Sequence, residues 1–266
     1  MCNNMLQYGH VYAWAREHGR SVMSMRFAYK YQYFRLCHSL KHNFIFYALA
    51  KFMHSIGVLP AVSYWLSEDE GSPELERYML RHTNFIVEGW FVRFYDLFLK
   101  YKPEIVSMFA FDKVIADKVS GVISHEASDG DVRLGVHIRR GDYRTFKDGA
   151  YFYDDDTYIS YIKAFIRRCG DKHVTVFICG NDPKIDKDYY RQNIPEATIV
   201  FPAGNPGEDL CLLSECNSLI GPPSTFSLVA SMYHDIPLLW MHNADSSNVN
   251  NQACWGQFDK LFREII

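Results

Sequence analysis

The sequence predicts an α/β protein whose second half is a parallel, doubly wound sheet with helices on both faces, and three observations carry that expectation. From residue 130 onward short apolar runs alternate with helical stretches, the βα pattern of parallel sheets. The connecting stretches are long enough for crossover helices rather than hairpins. The composition, 48% hydrophobic and 16% aromatic with only 10 Pro and 16 Gly among 266 residues, is that of a chain with a sizeable core and excludes disordered or collagen-like architectures. That length suits two domains, expected at residues 1–130 and 131–266.

Leu6, Val11, Ala13 and Trp14 fall near helical spacing, and Gly19 then supplies a stop, so a helix is expected over 4–18. A short strand is expected at 22–25, and 29–56 is aromatic and basic. The apolar, β-rich segments 59–65 and 84–90 read as strands, 67–74 as an acidic, solvated loop, and 95–109 and 113–126 as helices. In the second half, strands are expected at 132–139, 173–179, 197–201, 217–221 and 236–241, with helices at 156–168, 184–192, 207–216, 225–234 and 255–265. In such a sheet ligands bind beyond the carboxyl ends of the strands, so the residues following each strand are the ones to read for chemistry.

Charge and cysteine usage narrow the function. A formal net charge of −3, from 28 basic and 31 acidic residues, argues against nucleic-acid binding through a bulk positive field. Seven cysteines (Cys2, Cys37, Cys169, Cys179, Cys211, Cys216 and Cys254), an odd number with no C-x-x-C pair, read as reduced thiols in a cytoplasm. Neither a signal peptide nor a membrane span is evident, so a soluble protein, at most peripheral on a membrane, is expected. The sequence has no G-x-G-x-x-G, P-loop or G-x-S-x-G motif, which removes the main support for dinucleotide-binding, P-loop and serine-hydrolase readings.

Four constellations remain. In Val136-His-Ile-Arg-Arg-Gly-Asp-Tyr143, strand alternation sets His137 and Arg139 on one face. This is either a phosphate clamp, with Gly141 permitting close backbone approach, or a structural Arg–Asp142 pair beside a core histidine. In Ser218-Leu-Ile-Gly-Pro-Pro-Ser-Thr-Phe-Ser227 a tight turn sets Ser224, Thr225 and Ser227 at a helix start, suited to capping or to an anion. Glu208 and Asp209 open another helix, serving its dipole or accepting from a nucleobase, and the loop at Asn181 and Asp182 is placed to touch a nucleotide or merely to turn. The Asp154-Asp155-Asp156 cluster is expected to cap a helix rather than hold a cation. His38 and His42, at i, i+4, lack a third zinc ligand.

Together these segments resemble the fucosyltransferases of glycosyltransferase family 11, the α-1,2-fucosyltransferases, within a wider H-x-R-x-G-D superfamily. His137-Ile-Arg-Arg-Gly-Asp-Tyr143 matches the family's most specific motif, Asn3-Asn-Met-Leu-Gln-Tyr8 resembles its opening G-N-Q-M-F-Q-Y, and Ser224-Thr-Phe-Ser227 its late N-S-T-F-S-W-W. Glu88-Gly-Trp-Phe91 and the stretch from Asp209 to Cys216 are weaker likenesses in the family's order. The resemblance implies a GT-B-like fold of two Rossmann-like domains facing a cleft. The first would be the acceptor side, the second would bind GDP-fucose, and the last helix would pack back on the first domain. It implies inverting, metal-independent fucosyl transfer to a galactoside hydroxyl in surface glycan synthesis, without a cofactor.

Carried over residue by residue, the resemblance implies that Arg139 and Asp142 are catalytic. His137, Arg139, Arg140, Asn181, Asp209, Ser224, Thr225 and Phe226 would bind the donor, and Asn3 and Gln7 carry the amino-terminal motif. Its partners would be GDP-fucose and a galactose-containing glycan, with no nucleic acid, and its location the cytoplasm or the periphery of the inner membrane. The family's opening strand and G-G-L-G turn are expected to be missing before Asn3. Leu228 and Val229 stand where the family has two tryptophans, the mark of a divergent branch. The alternatives are a fucosyltransferase of another linkage and a non-catalytic GDP-sugar-binding relic.

Overall fold

The computed structural model describes residues 1–264 and divides the chain into two compact units, Met1–Asp112 and Lys113 onward. The division falls earlier than the expected 130/131, because the helix at 113–126 belongs to the second unit.

The first unit opens with α1 (Cys2–Glu17), which buries Met5, Leu6, Ala13 and Trp14. Gly9 lets the Phe98 ring lie against this helix, since a Cβ there would strike the ring at Cε2. Then come α2 (Phe44–Ser55), capped by the Asn43 side chain, β1 (Ala61–Tyr64), α3 (Pro73–Arg81) and β2 (Ile86–Gly89), which pairs parallel with β1. Two short helices, α4 (Tyr95–Lys100) and α5 (Lys102–Met108), finish the unit. Its interior is largely aromatic, with Phe27 and Phe34 packed edge-on against Phe109.

Three expectations fail in this unit. No strand forms at 22–25; the Ser24 N–H donates to the His42 ring instead of to a neighbouring strand. The acidic segment 67–74 contains a 3₁₀ turn and the start of α3, whose Ser72 cap and first-position Pro73 form a helix-start signal. The single helix at 95–109 is two, because Pro103 has no N–H to continue the ladder and is tolerated only in the first turn of a new helix.

The second unit begins with α6 (Lys113–Glu126) and follows the predicted alternation: β3 (Val132–Ile138), α7 (Asp155–Cys169), β4 (Val174–Gly180), α8 (Lys187–Asn193), β5 (Thr198–Val200), α9 (Pro206–Ser214), β6 (Ser218–Gly221), α10 (Thr225–His234) and β7 (Leu238–Trp240). The expected helix at 255–265 is instead β8 (Trp255–Gly256), antiparallel to β7, followed by the one-turn α11 (Phe258–Leu261). That last helix packs on α10 and β8 of its own unit; residues 265 and 266 lie outside the described residues.

The sheet order is β5-β4-β3-β6-β7-β8, parallel except at β8. Leu134, Val136, Ile138, Val176 and Ile178 are buried beneath Tyr158, Ile162 and Phe165 of α7. The chain runs outward one way from β3 to β5 and the other way from β6 to β7. The strand order therefore reverses between β3 and β6, where a doubly wound sheet opens a crevice at its carboxyl edge.

Candidate active site

The residues at that reversal are the ones the sequence singles out. His137 is in the last turn of pleat of β3, and its ring stacks on Phe226 of α10 with centroids 4.9 Å apart. Burial, reinforced by the charge of Arg139 and opposed by Asp142, lowers its pKa to about 3, so the imidazole is neutral at physiological pH. Its Nδ1 is buried without a hydrogen-bond partner.

The two adjacent arginines have different surroundings. Arg139 is partly exposed and makes a two-pronged pair with Asp142, Nε to Oδ1 at 3.0 Å and Nη2 to Oδ2 at 2.8 Å, while lying over the Tyr143 ring. That pair holds the Asp142 carboxyl below its ordinary pKa. The Arg140 side chain is only 9% exposed and turns inward. Its Nε donates to the Tyr153 carbonyl at 2.8 Å, Nη2 to Asp155 at 2.6 Å, and Nη1 lies 3.5 Å from Asp182. Burial works against its charge, yet the Asp155 hydrogen bond and charge keep its pKa above the usual arginine value.

The Asp154–Asp156 cluster therefore divides its work. Asp154 caps α7 by accepting from the Thr157 N–H, Asp155 anchors Arg140 and accepts from the Tyr190 hydroxyl, and Asp156 accepts from Tyr189. Only one of the three is a cap, so the expectation that the cluster merely caps a helix needs correction.

Asn181, just beyond β4, accepts from the Arg140 and Gly141 N–H groups at 3.1 and 3.3 Å and so fixes the backbone of the motif. Gly141 leaves room for this contact, since a Cβ would come within 2.8 Å of Asn181 Nδ2 and push that side chain aside.

On the other side of the crevice, buried Ser224 caps α10 by accepting from the Phe226 N–H, with Thr225 as the first helical residue. The Tyr143 hydroxyl donates to the Pro223 carbonyl, which ties the β3 motif to this turn. Ser227 turns its hydroxyl back to the Ser224 carbonyl and is fully buried, so it does not add to a surface of hydroxyls. Asp209, in the first turn of α9, has its pKa raised to about 6 by burial, with Glu208 adding to the rise and a hydrogen bond from Cys179 opposing it. The Cys179 thiol, at the end of β4, is itself pushed well up by burial.

Three comparisons bear on this arrangement. The sequence profile of glycosyl transferase family 11 matches residues 87–237, more than half of the chain and all of the strand-end motifs described above. The chain belongs to glycosyl transferase family 11. No curated protein sequence matches it. Among solved structures, Arabidopsis thaliana FUT1, a mutant in complex with GDP, is similar with a TM-score of 0.60 at 13% identity, over 97% of this chain and 71% of that one. POFUT1 in complex with GDP-fucose is similar with a TM-score of 0.53 at 12% identity, over 86% of this chain and 89% of that one. The fold of this family 11 glycosyltransferase is thus the GT-B-like fold of fucosyltransferases.

The amino-terminal motif precedes the matched range. Gln7 Nε2 donates to the Gly89 carbonyl at the end of β2, and Asn3 is exposed. Gly89, at φ +107, passes so close to Tyr64 that a Cβ would strike that residue's backbone. His38 and His42 do not share a helical face: His38 bonds to Asp112, and His42 lies between Ser24 and Ser39.

Sequence reasoning missed the parts of Asp155 and Tyr143 in this arrangement, and it placed the loop from Cys179 to Pro183 here without the contact of the Cys179 thiol with Asp209. The signal for Asp155 was present, since one carboxylate suffices to cap a helix and three in a row leave two to be explained.

Proposed function

We propose that this glycosyltransferase moves L-fucose from GDP-fucose to a hydroxyl of a galactoside, with inversion at the fucose C1. The observation that carries the reading is Arg139, braced by Asp142 at the carboxyl end of β3, beside the amino terminus of α10 where the strand order reverses. The acceptor oxygen bonds to C1 as the bond from C1 to the β-phosphate oxygen breaks. The electron pair leaves with GDP, and the proton of the acceptor hydroxyl passes to solvent water as the new bond forms. Negative charge then grows on the diphosphate, where a guanidinium and the N–H groups of a helix start stabilise it. Such stabilisation supports a reaction that proceeds without a metal. The GDP-fucose held by POFUT1 and the GDP held by Arabidopsis FUT1 favour the same donor.

Within this reading Asp142 orients Arg139 rather than taking the acceptor proton, because a carboxyl with a lowered pKa is a weak base. Arg140, held by Asp155 and the Tyr153 carbonyl, shapes the motif, and Asn181, which accepts from the Arg140 and Gly141 N–H groups, shapes it and stays exposed at the donor side. His137 and Phe226 form a neutral aromatic wall beside the phosphate site, Ser224 and Thr225 complete it, and Asp209 accepts from the guanine edge or the ribose. The second unit is the donor side and the first the acceptor side.

Calorimetric titration with GDP-fucose, GDP-mannose and UDP-galactose, in EDTA and again with Mg²⁺, tests this. Guanine-selective binding in EDTA, followed by fucosylation of a galactoside with the β-to-α inversion seen by NMR, is the expected outcome. A folded protein that prefers the uridine nucleotide, or binds only with metal, would overturn it. Binding without turnover on any galactoside would overturn the galactoside acceptor and leave another acceptor or the non-catalytic reading.

A further inference from the structure

We infer that α2 and the basic residues beside it form a docking surface for an anionic lipid bilayer, on which the helix lies in the interfacial plane. The inference rests on the first unit and is independent of the donor reading.

No residue of α2 is buried. Ile45, Leu49 and Phe52, 77%, 51% and 60% exposed, follow the i, i+4, i+7 spacing of one face, and Phe44 and Phe46, 63% and 46% exposed, widen it on either side. Beyond its ends Leu40, Ile56 and Val58 continue the patch at 87%, 56% and 61%. Most of the large apolar side chains that are exposed among the described residues fall between Leu40 and Leu66. Lys51 lies at the flank of that face, the side opposite it carries Tyr47 and His54, and Tyr47 joins the helix to the unit by packing on Tyr29 at 4.6 Å. A contiguous apolar face of this kind on a folded unit marks an interaction site rather than a core.

Charge selects the occupant. Between Glu17 and Glu68 the chain has no acidic residue, whereas Arg20, Arg26, Lys30, Arg35, Lys41 and Lys51 all lie there, in a protein whose formal net charge is −3. All but Arg20 are exposed. Arg26 donates to the Tyr29 hydroxyl at 3.1 Å and Lys30 lies over the Tyr29 ring, so both flank the helix through its Tyr47 contact. An apolar face rimmed by cations fits the acyl boundary and headgroups of an anionic bilayer. A second copy of the chain would bring the same basic rim against itself. At 12 residues the helix is roughly 18 Å long, short of the ~30 Å hydrocarbon core, so it lies on the membrane and does not span it.

The test is co-sedimentation of the whole protein with vesicles of phosphatidylcholine alone or mixed with phosphatidylglycerol, at low and high salt. The wild type should bind the anionic vesicles, lose much of that binding at high salt, and bind the neutral ones weakly. The Ile45→Ser, Leu49→Ser, Phe52→Ser triple variant should lose at least ~10-fold in vesicle affinity. Lys41→Ala and Lys51→Ala should each lose about 5-fold, on anionic vesicles only. Circular dichroism and an unchanged melting temperature verify that the variants fold. Absence of vesicle binding at every composition, or binding that the triple variant retains, would overturn the inference. So would a concentration-dependent dimer by ultracentrifugation that the triple variant abolishes while no vesicles bind.

Discussion

Both units bury an arginine, Arg93 in the first and Arg140 in the second, but the first also leaves the apolar side chains of a whole helix outside. The second unit takes charge inside and satisfies it: Arg140 is enclosed between Asp155, Asp182 and a backbone carbonyl. The first leaves apolar side chains outside, along α2. A buried guanidinium must be paired because an uncompensated charge in a low-dielectric interior costs several kcal/mol. Exposed Ile, Leu and Phe carry no comparable local penalty and are tolerated where a surface will cover them. On the proposed readings, the awkward residue supports the donor site in one unit and is a place of docking in the other.

The largest effect that would break this contrast is on stability in the second unit. Arg140→Met leaves Asp155 and Asp182 facing one another without their cation, and should destabilise the protein by ~3–5 kcal/mol, a fall of roughly 10 °C in melting temperature. A calorimetric transition that does not move would show that Arg140 is not the support of the motif.

Its neighbour sharpens the same comparison. Arg139 is 31% exposed and Asp142 58%, so their pair adds little stability. Arg139→Ala should leave the melting temperature almost unchanged while lowering kcat for fucosyl transfer by ~10²–10³, the usual consequence of losing one donor to a developing anion. Arg139→Lys should recover only part, since an ammonium cannot reproduce the two-pronged fork. Full activity in Arg139→Ala would transfer the role away from this residue.

A smaller, pH-dependent effect is expected at Asp209. Its folded pKa is raised to about 6 from an ordinary 3.8, so between those values the folded state holds a proton that the unfolded chain has lost. Stability should therefore fall as pH rises from about 4 to about 6, with a cost on the order of 1–3 kcal/mol above that window. Donor affinity should move the other way, rising as the carboxylate forms and can accept from the nucleotide. Asp209→Asn should flatten both profiles. Chemical denaturation and titration of GDP at pH 5 and 7.5 measure them, and a GDP affinity that does not change with pH in the wild type would remove Asp209 from the nucleotide site.

Much of the second unit was legible because parallel strands and crossover helices leave a regular pattern, and because a histidine and an arginine at a strand's carboxyl end contradict that pattern. What the sequence could not resolve was direction. Arg139 and Arg140 follow the last residue of β3, where strand alternation no longer applies. Which of them turns inward is decided by Asp155 and the Tyr153 carbonyl, brought there by the start of α7. The first unit was less legible. Its strands are four residues long, and Val22–Met25 has the composition of a strand but no neighbour to pair with. The aromatic run at 44–55 is helical with its face turned outward, so burial does not declare its period.

The mildest prediction sets the same chemistry side by side in both units. Ser224 and Asn43 are both helix caps, each accepting from the N–H groups of the turn it begins. Replacing either with Ala should cost ~1 kcal/mol of helix stability. At Ser224 the loss should also appear as a several-fold weaker affinity for GDP-fucose, because in the proposed donor site the same turn meets the diphosphate. At Asn43 the affinity should stay as it is. If both variants lose stability and neither loses affinity, the α10 amino terminus is only a capped helix and the phosphate site contracts to Arg139.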